Sequence, residues 1–345
     1  MNNFEKILTQ KKENAAFDVP LWSALYQAHP MLTDTPDANL KTRLAGIEKN
    51  IQFLNSSKSW NDALKAEYGW NSPWWWFRAR QFTLFEIERR GIISLPAEEI
   101  GVQSTLHWKY LRRRKPTAIR ISKLEWLIDL LSGKIRFGAA TNYTDPTLQA
   151  SQRDDEISRH IFLPGSLATI TIENGQKHTL TGEIQLSSSR THSTKGRANV
   201  RPYWLLCFST ELDARLLEEF PNENSQKQGF FVLFDVDKFH RRVAEAVQPL
   251  GLSCGRVEVD YYDEHFPPPE QAPVIGSKPF RFAYQRELRF FLLPDSPTTQ
   301  TFNSHVSFQA AKMNDIAGVY NSMGGKEAGY GPERLFSKRC SIKCP

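Results

Sequence analysis

The hydrophobic period changes once along this chain, and that change limits what it can fold into. In the first part, Leu40, Leu44, Ile47, Ile51 and Leu54 recur every three or four residues, which places them on one helical face. The spacing predicts a helix over residues 38–54. A second helix is expected from Ser72-Pro73 to Arg90: Ser is a good N-cap, Pro suits the first turn, and Gly91 supplies a stop. Leu95-Pro96-Ala97-Glu98-Glu99 then reads as a connector.

From about residue 105 the pattern becomes short apolar strands separated by single helices. Expected strands are Thr105–Leu111, Ile135–Phe137, Tyr203–Phe208, Phe230–Phe234 and Val257–Tyr262, with a hairpin of Leu167–Ile172 and Thr179–Leu186 around Asn174-Gly175. Helices are expected near Asp213–Phe220 and over Val236–Val247. Another should begin at a capping box of Ser122 and Glu125, bury Leu124, Leu127, Ile128 and Leu131, and stop at Gly133. A chain of 345 residues has room for more than one core. The expected organisation is a helical N-terminal region over residues 1–95 and an α+β domain over residues 105–345, with a mixed, largely antiparallel sheet flanked by helices.

Several function classes fall away at this stage. No apolar run approaches the roughly 18 residues of a spanning helix, and the first residues, Met1-Asn2-Asn3-Phe4-Glu5-Lys6, lack the apolar stretch of a secretory leader. A cytoplasmic protein without a membrane partner is the expectation. Cys207, Cys254, Cys340 and Cys344 are expected as free thiols, and neither they nor the histidines show a metal-ligand spacing, so no metal is expected. Lys and Arg number 44 against 38 Asp and Glu, a net charge of +6, which permits a nucleic-acid partner without requiring one. The basic run Arg112-Arg113-Arg114 is the candidate for contacts with phosphate or nucleic acid. Trp74-Trp75-Trp76-Phe77 fits core packing, and Asp154-Asp155-Glu156 a solvated acidic cluster.

The segment Phe282–Phe290 carries the candidate chemistry. If it is extended, alternation puts Gln285, Glu287 and Arg289 in one polar row. Such a row is either a solvated sheet face or a working site. In the second case the Glu287 carboxylate can stabilise the oxocarbenium-like state of glycosidic cleavage, with Gln285 two residues earlier positioning an acceptor.

The order of motifs resembles a widespread uncharacterised bacterial family. It runs from His107-Trp108-Lys109-Tyr110 through Tyr143-Thr144-Asp145-Pro146 and Leu206-Cys207-Phe208-Ser209 to Tyr284-Gln285-Arg286-Glu287-Leu288-Arg289. That family in turn looks like a divergent ADP-ribosyltransferase, whose split mixed sheet holds NAD in a cleft. The resemblance implies Glu287 and Gln285 as catalytic residues, and His107, Tyr110, Tyr143, Ser209 and Arg289 as contacts to NAD. NAD would be consumed as a substrate. Where related proteins have Ser-Thr-Ser, this chain has Ser209-Thr210-Glu211, and where the family's last strand has its first Glu, it has Gln285. The implied activity is transfer of ADP-ribose to a protein or nucleic acid, as in a bacterial toxin or anti-phage defence effector with an antitoxin partner. The alternatives are a non-enzymatic nucleic-acid- or protein-binding module of a defence system, and an NAD glycohydrolase.

Overall fold

The computed structural model describes residues 19–56, 70, 73–92, 118–148, 153–171, 174–188, 203–211, 216, 228–266, 273–295, 305–322 and 324–335. The expected Thr105–Leu111 strand and nearly all of the Asp213–Phe220 helix lie outside these residues. So do His107, Tyr110, Arg112, Arg113, Arg114, Cys340 and Cys344.

Helices α1 (Val19–Ala28), α2 (Asp37–Ser56) and α3 (Pro73–Arg89) form the N-terminal region. Strand β1 (Ala118–Lys123) leads into α4 (Leu124–Leu131), and β2 (Lys134–Ala139) follows. Next come β3 (Arg159–Pro164), β4 (Thr169–Thr171), β5 (Lys177–Thr179) and β6 (Glu183–Ser188). The chain continues through β7 (Trp204–Ser209), β8 (Gln228–Leu233), α5 (Val236–Val247), β9 (Leu252–Glu258), β10 (Asp260–Tyr262) and β11 (Ser277–Pro279). It ends in β12 (Glu287–Pro294), β13 (His305–Gln309), β14 (Ala317–Asn321) and β15 (Lys326–Gly329). This is an α+β fold preceded by a helical region.

Nine strands join in one antiparallel sheet. β7 pairs with β12 along its whole length on one edge, from Leu292↔Trp204 to Glu287↔Ser209. Its other edge is divided: Trp204 and Leu205 pair with β2, whereas Ser209 pairs with Ile119 of β1. The sheet therefore splits at β7 into a β2–β13 arm and a β1–β8–β14–β15 arm. Arg120 closes the fork by donating from Nη1 to the Cys207 carbonyl at 2.6 Å. The hairpin β4–β5 forms around Asn174-Gly175 as its turn residues require, but β6 pairs with β3 in a separate ribbon.

Both faces of the large sheet are covered, which explains the unbroken apolar run of β8. Phe231 and Leu233 pack with Leu127 and Leu131 of α4 and Phe239 and Val243 of α5. Phe230 and Val232 point the other way, into a core with Ile47 of α2 and Trp76 of α3. The N-terminal helices thus form the third layer, and Trp76 serves as a core residue. Trp75 meets Phe280 edge-on, at 6.0 Å between ring centres.

Two local expectations of α4 are corrected, its cap and the burial of Ile128. Residues 118–121, to which no element was assigned, form most of β1, and Ser122 pairs with Gly229 inside the sheet instead of capping α4. The cap position falls on Lys123, without a side-chain hydrogen bond. Ile128 is exposed, because α4 is only 8 residues long and turns Leu127, Leu130 and Leu131 inward. Gly133 ends the helix as expected: its φ is +91°, and a Cβ there would lie 2.3 Å from the Ala310 carbonyl oxygen.

Candidate functional site

The segment before Glu287 is not a strand. Phe280–Gln285 form a 3-10 helix, and Arg286 follows in the left-handed region at φ 46°. The Arg286 carbonyl accepts from the Thr210 amide at 2.8 Å and from its hydroxyl at 3.1 Å, which ties the turn to the end of β7. Extended chain begins only at Glu287, so Gln285 does not share a row with Glu287 and Arg289. It is buried inside the turn. The alternating residues do not extend because these six aromatic-rich residues satisfy their apolar contacts equally well as a tight helical turn beneath α2 and α3.

The polar pair that does lie on β12 is buried, not solvated. Arg289 is fully inaccessible. Its Nε donates to Glu287 at 2.8 Å, Nη2 reaches Glu156 at 2.7 Å, and Nη1 donates to the Ile275 carbonyl at 3.1 Å. Lys278, on β11, places Nζ 3.2 Å from Glu287, 3.4 Å from Glu156 and 3.8 Å from Asp154. The expected solvated cluster Asp154-Asp155-Glu156 is therefore corrected: Asp154 and Glu156 are buried against these cations, and together with Glu287 they offset the desolvation cost of Lys278 and Arg289. Nothing in the local sequence of Asp154 signals a partner at Lys278; the pairing arises from chain crossing.

These contacts set the charges. Burial alone would raise the Glu287 carboxyl, but the positive charges of Lys278 and Arg289 bring it below its usual range. Burial works against the Lys278 ammonium, yet Glu287, Glu156 and Asp154 keep it protonated well above its ordinary value. For Asp154 burial outweighs the positive charge of Lys278 and the smaller effects of Arg281 and Arg289, and pushes its carboxyl up to about 7. The Cys207 thiol is pushed up to about 12 by burial and by Glu287.

Several candidate residues converge on this cluster. Ser209 lies directly across the ladder from Glu287, a separation of roughly 5 Å between Cβ atoms. Tyr143 sits in a 3-10 helix, Ala140–Thr144, and packs with Cys207, Ile275 and Tyr203. Burial raises its hydroxyl, and so does Cys207; Glu156 and Glu287 add to the effect. The Glu287 amide donates to the Tyr261 hydroxyl at 2.9 Å, and the Tyr203 hydroxyl donates to the Glu156 carbonyl. Glu287 keeps 11% of its side chain accessible. Of its lone pairs, those bound to Lys278 and Arg289 account for about half of a carboxylate's accepting capacity.

Beside the cluster opens a cleft of about 280 Å³, lined by Thr144, Arg153, Asp154, Ser158, His160 and Arg281, with Asp155 and Pro279 completing its wall. Asp154 belongs to both cleft and cluster, and Lys278 stands between it and Glu287. Asp154 and Glu156, expected as solvated charges, and Lys278 complete the cluster, and nothing in their local sequence places them together. No helix among the described residues is long and apolar enough to cross a membrane. Compared with known protein families, curated proteins and solved structures, the chain matches none.

Proposed function

We propose that this chain is an NAD-dependent ADP-ribosyltransferase-like enzyme that modifies a macromolecule, with Glu287 as the carboxylate that stabilises the developing ribose cation. The carrying observation is the position of Glu287. It heads β12 opposite Ser209, at the strand whose other edge is divided between two arms of the sheet, and lies one cation away from a polar cleft. Cleavage of the nicotinamide bond leaves positive charge on the ribose, and an ionised, preorganised carboxylate is worth most where water is scarce. Lys278 and Arg289 keep Glu287 ionised and fix its direction, while its remaining lone pairs can accept from a ribose hydroxyl. Arg153 and Arg281 offer charge for phosphates. In this reading Gln285 supports the turn from within, and a bacterial toxin or anti-phage effector is the role that suits such chemistry.

One observation favours a second reading. Both Glu287 oxygens are already engaged, as they would be in a purely structural ion cluster of a non-enzymatic nucleic-acid- or protein-binding module. Labelled NAD incubated with cell extract separates the possibilities. Transfer of label to an acceptor, reduced on the order of a hundredfold or more in Glu287→Gln, supports the transferase. Free nicotinamide without a labelled acceptor identifies an NAD glycohydrolase. Intact NAD, with the protein folded, leaves the binding module.

A further inference from the structure

His160 and Asp155 line the cleft and belong, with Ser187 on the neighbouring strand, to a constellation that the Glu287 chemistry does not use. His160 on β3 faces Ser187 on β6 directly across the ribbon. Its Nδ1 lies 2.9 Å from the Ser187 hydroxyl, and its Nε2 lies 3.0 Å from Oδ2 of Asp155. Asp155 is itself held: its Oδ1 accepts the amides of Ile157 and Ser158, both at 2.9 Å. Burial tends to raise this carboxyl, but the two amides outweigh it and keep Asp155 below its usual range. An ionised carboxylate only accepts, so the hydrogen sits on Nε2 and the lone pair on Nδ1, toward Ser187. The Gln185 amide nitrogen, 2.7 Å from Nδ1, donates toward the same single lone pair and so competes with the Ser187 hydroxyl for it.

We propose that Ser187, His160 and Asp155 form a nucleophile, base and orienting carboxylate for acyl transfer, acting on carboxylic esters that enter the cleft. The arrangement meets the geometric test for an activated serine, with nucleophile and base in hydrogen-bond contact and the base oriented by a third group. The two ring nitrogens exchange the places they hold in the chymotrypsin arrangement, which leaves the proton path unchanged. Ser187 Oγ bonds to the ester carbonyl carbon and its proton passes to Nδ1. The carbon–oxygen bond to the alcohol then breaks, and the departing alkoxide takes that proton. Water repeats the sequence on the acyl-serine, releasing the acid and restoring Ser187. Asp155 stabilises the imidazolium formed in each half. Arg153 and Arg281 line the same cleft and supply positive charge to the carbonyl oxygen. In a ribbon whose Ser187 is open to solvent, Gln185 must yield its contact with Nδ1 as the imidazole takes up the proton.

The inference needs no NAD, so it stands or falls apart from the Glu287 reading. The full-length protein is treated with a fluorophosphonate, whose phosphorus takes the place of the carbonyl carbon and loses fluoride, and the labelled residue is located by mass spectrometry. One phosphonyl group on Ser187 is expected, absent in Ser187→Ala and slower on the order of a hundredfold in His160→Gln. Turnover of p-nitrophenyl acetate should fall in parallel. Absence of label in the native protein, equal label in Ser187→Ala, or an unchanged rate in His160→Gln overturns the proposal. Ser187→Ala removes only an exposed hydroxyl, so the outcome does not hang on whether the histidine variant folds.

Discussion

Arg289 shows how a single residue links stability to chemistry here. Its guanidinium compensates two buried carboxylates at once, and Lys278 compensates the same two and reaches toward a third. That third carboxylate, Asp154, is the residue left short. Its folded-state value of about 7 lies above its ordinary 3.8, so the native protein binds the proton more tightly than the unfolded chain. The resulting stability is fully present below about pH 4 and is lost as pH rises toward 7, by at most about 1.4 kcal/mol per pH unit for one proton. Glu287 acts in the opposite sense: its value is lowered, and its contribution is lost as pH falls below the ordinary glutamate range. The cluster as a whole is therefore most stabilising in mildly acid solution. Asp154→Asn should be more stable than the wild type at pH 8 and should lose the slope between pH 4 and 7. Urea denaturation across that range checks it, and an unchanged slope would assign the dependence elsewhere.

At the scale of elements, the turn from the 3-10 helix into β12 concentrates local strain at Arg286. A side chain at φ 46° costs on the order of 1 kcal/mol that glycine does not incur, whereas the guanidinium gains a place over the Trp70 ring at 4.5 Å. Comparing two variants that both lack the guanidinium separates these effects: Arg286→Gly should be more stable than Arg286→Ala by about 1 kcal/mol in thermal or urea unfolding. This turn also marks where sequence reading stopped. Helix α2 was legible from its apolar spacing and α3 from its Ser72-Pro73 start and Gly91 stop, and β7 and β8 because their apolar runs are too short for anything but buried strands. The 3-10 helix was not, since Phe280, Phe282 and Tyr284 read as strand alternation and bury equally well in a turn. β1 was missed because its residues directly precede a strong helix signal. For the site, Glu287, Arg289, Ser209 and Tyr143 could be picked from motifs. The pairing of Asp154, Glu156 and Lys278 could not, because their partners lie in distant segments and an acidic run such as Asp154-Asp155-Glu156 reads as a solvated face.

Across the whole molecule, the N-terminal helices are not an appendage to the sheet. Ile47 and Trp76 share a core with Phe230 and Val232 of β8 and with Phe280 and Phe282 of the turn that leads to Glu287. Arg43 of α2 crosses the same boundary. It donates to both Asp263 oxygens at 2.7 and 2.6 Å, to Thr83 at 3.1 Å, and its guanidinium lies 5.1 Å from the centre of the Phe280 ring. Burial would raise the Asp263 carboxyl, but the Arg43 charge outweighs it and holds it below its usual range. Around this pair, His265 reaches Glu183 at 3.1 Å, and the Thr35 hydroxyl donates to Glu183 at 2.7 Å, so the β3–β6 ribbon that carries His160 and Ser187 is fastened to the helices as well. Shared apolar contacts and a buried ion pair couple the two regions, and the described residues should unfold in one calorimetric transition. Removing Arg43 leaves Asp263 charged in a dry site, accepting from the His265 amide at 3.0 Å but without its guanidinium partner, a loss of about 3–5 kcal/mol. Arg43→Met is therefore expected to lower the unfolding midpoint sharply while keeping a single transition, because the apolar layer between Trp76 and β8 remains. If instead the variant unfolds in two steps, the ion pair is the coupling element and the helical layer is a separable unit; if its midpoint is unchanged, Asp263 has found water, and the boundary is wetter than its geometry shows.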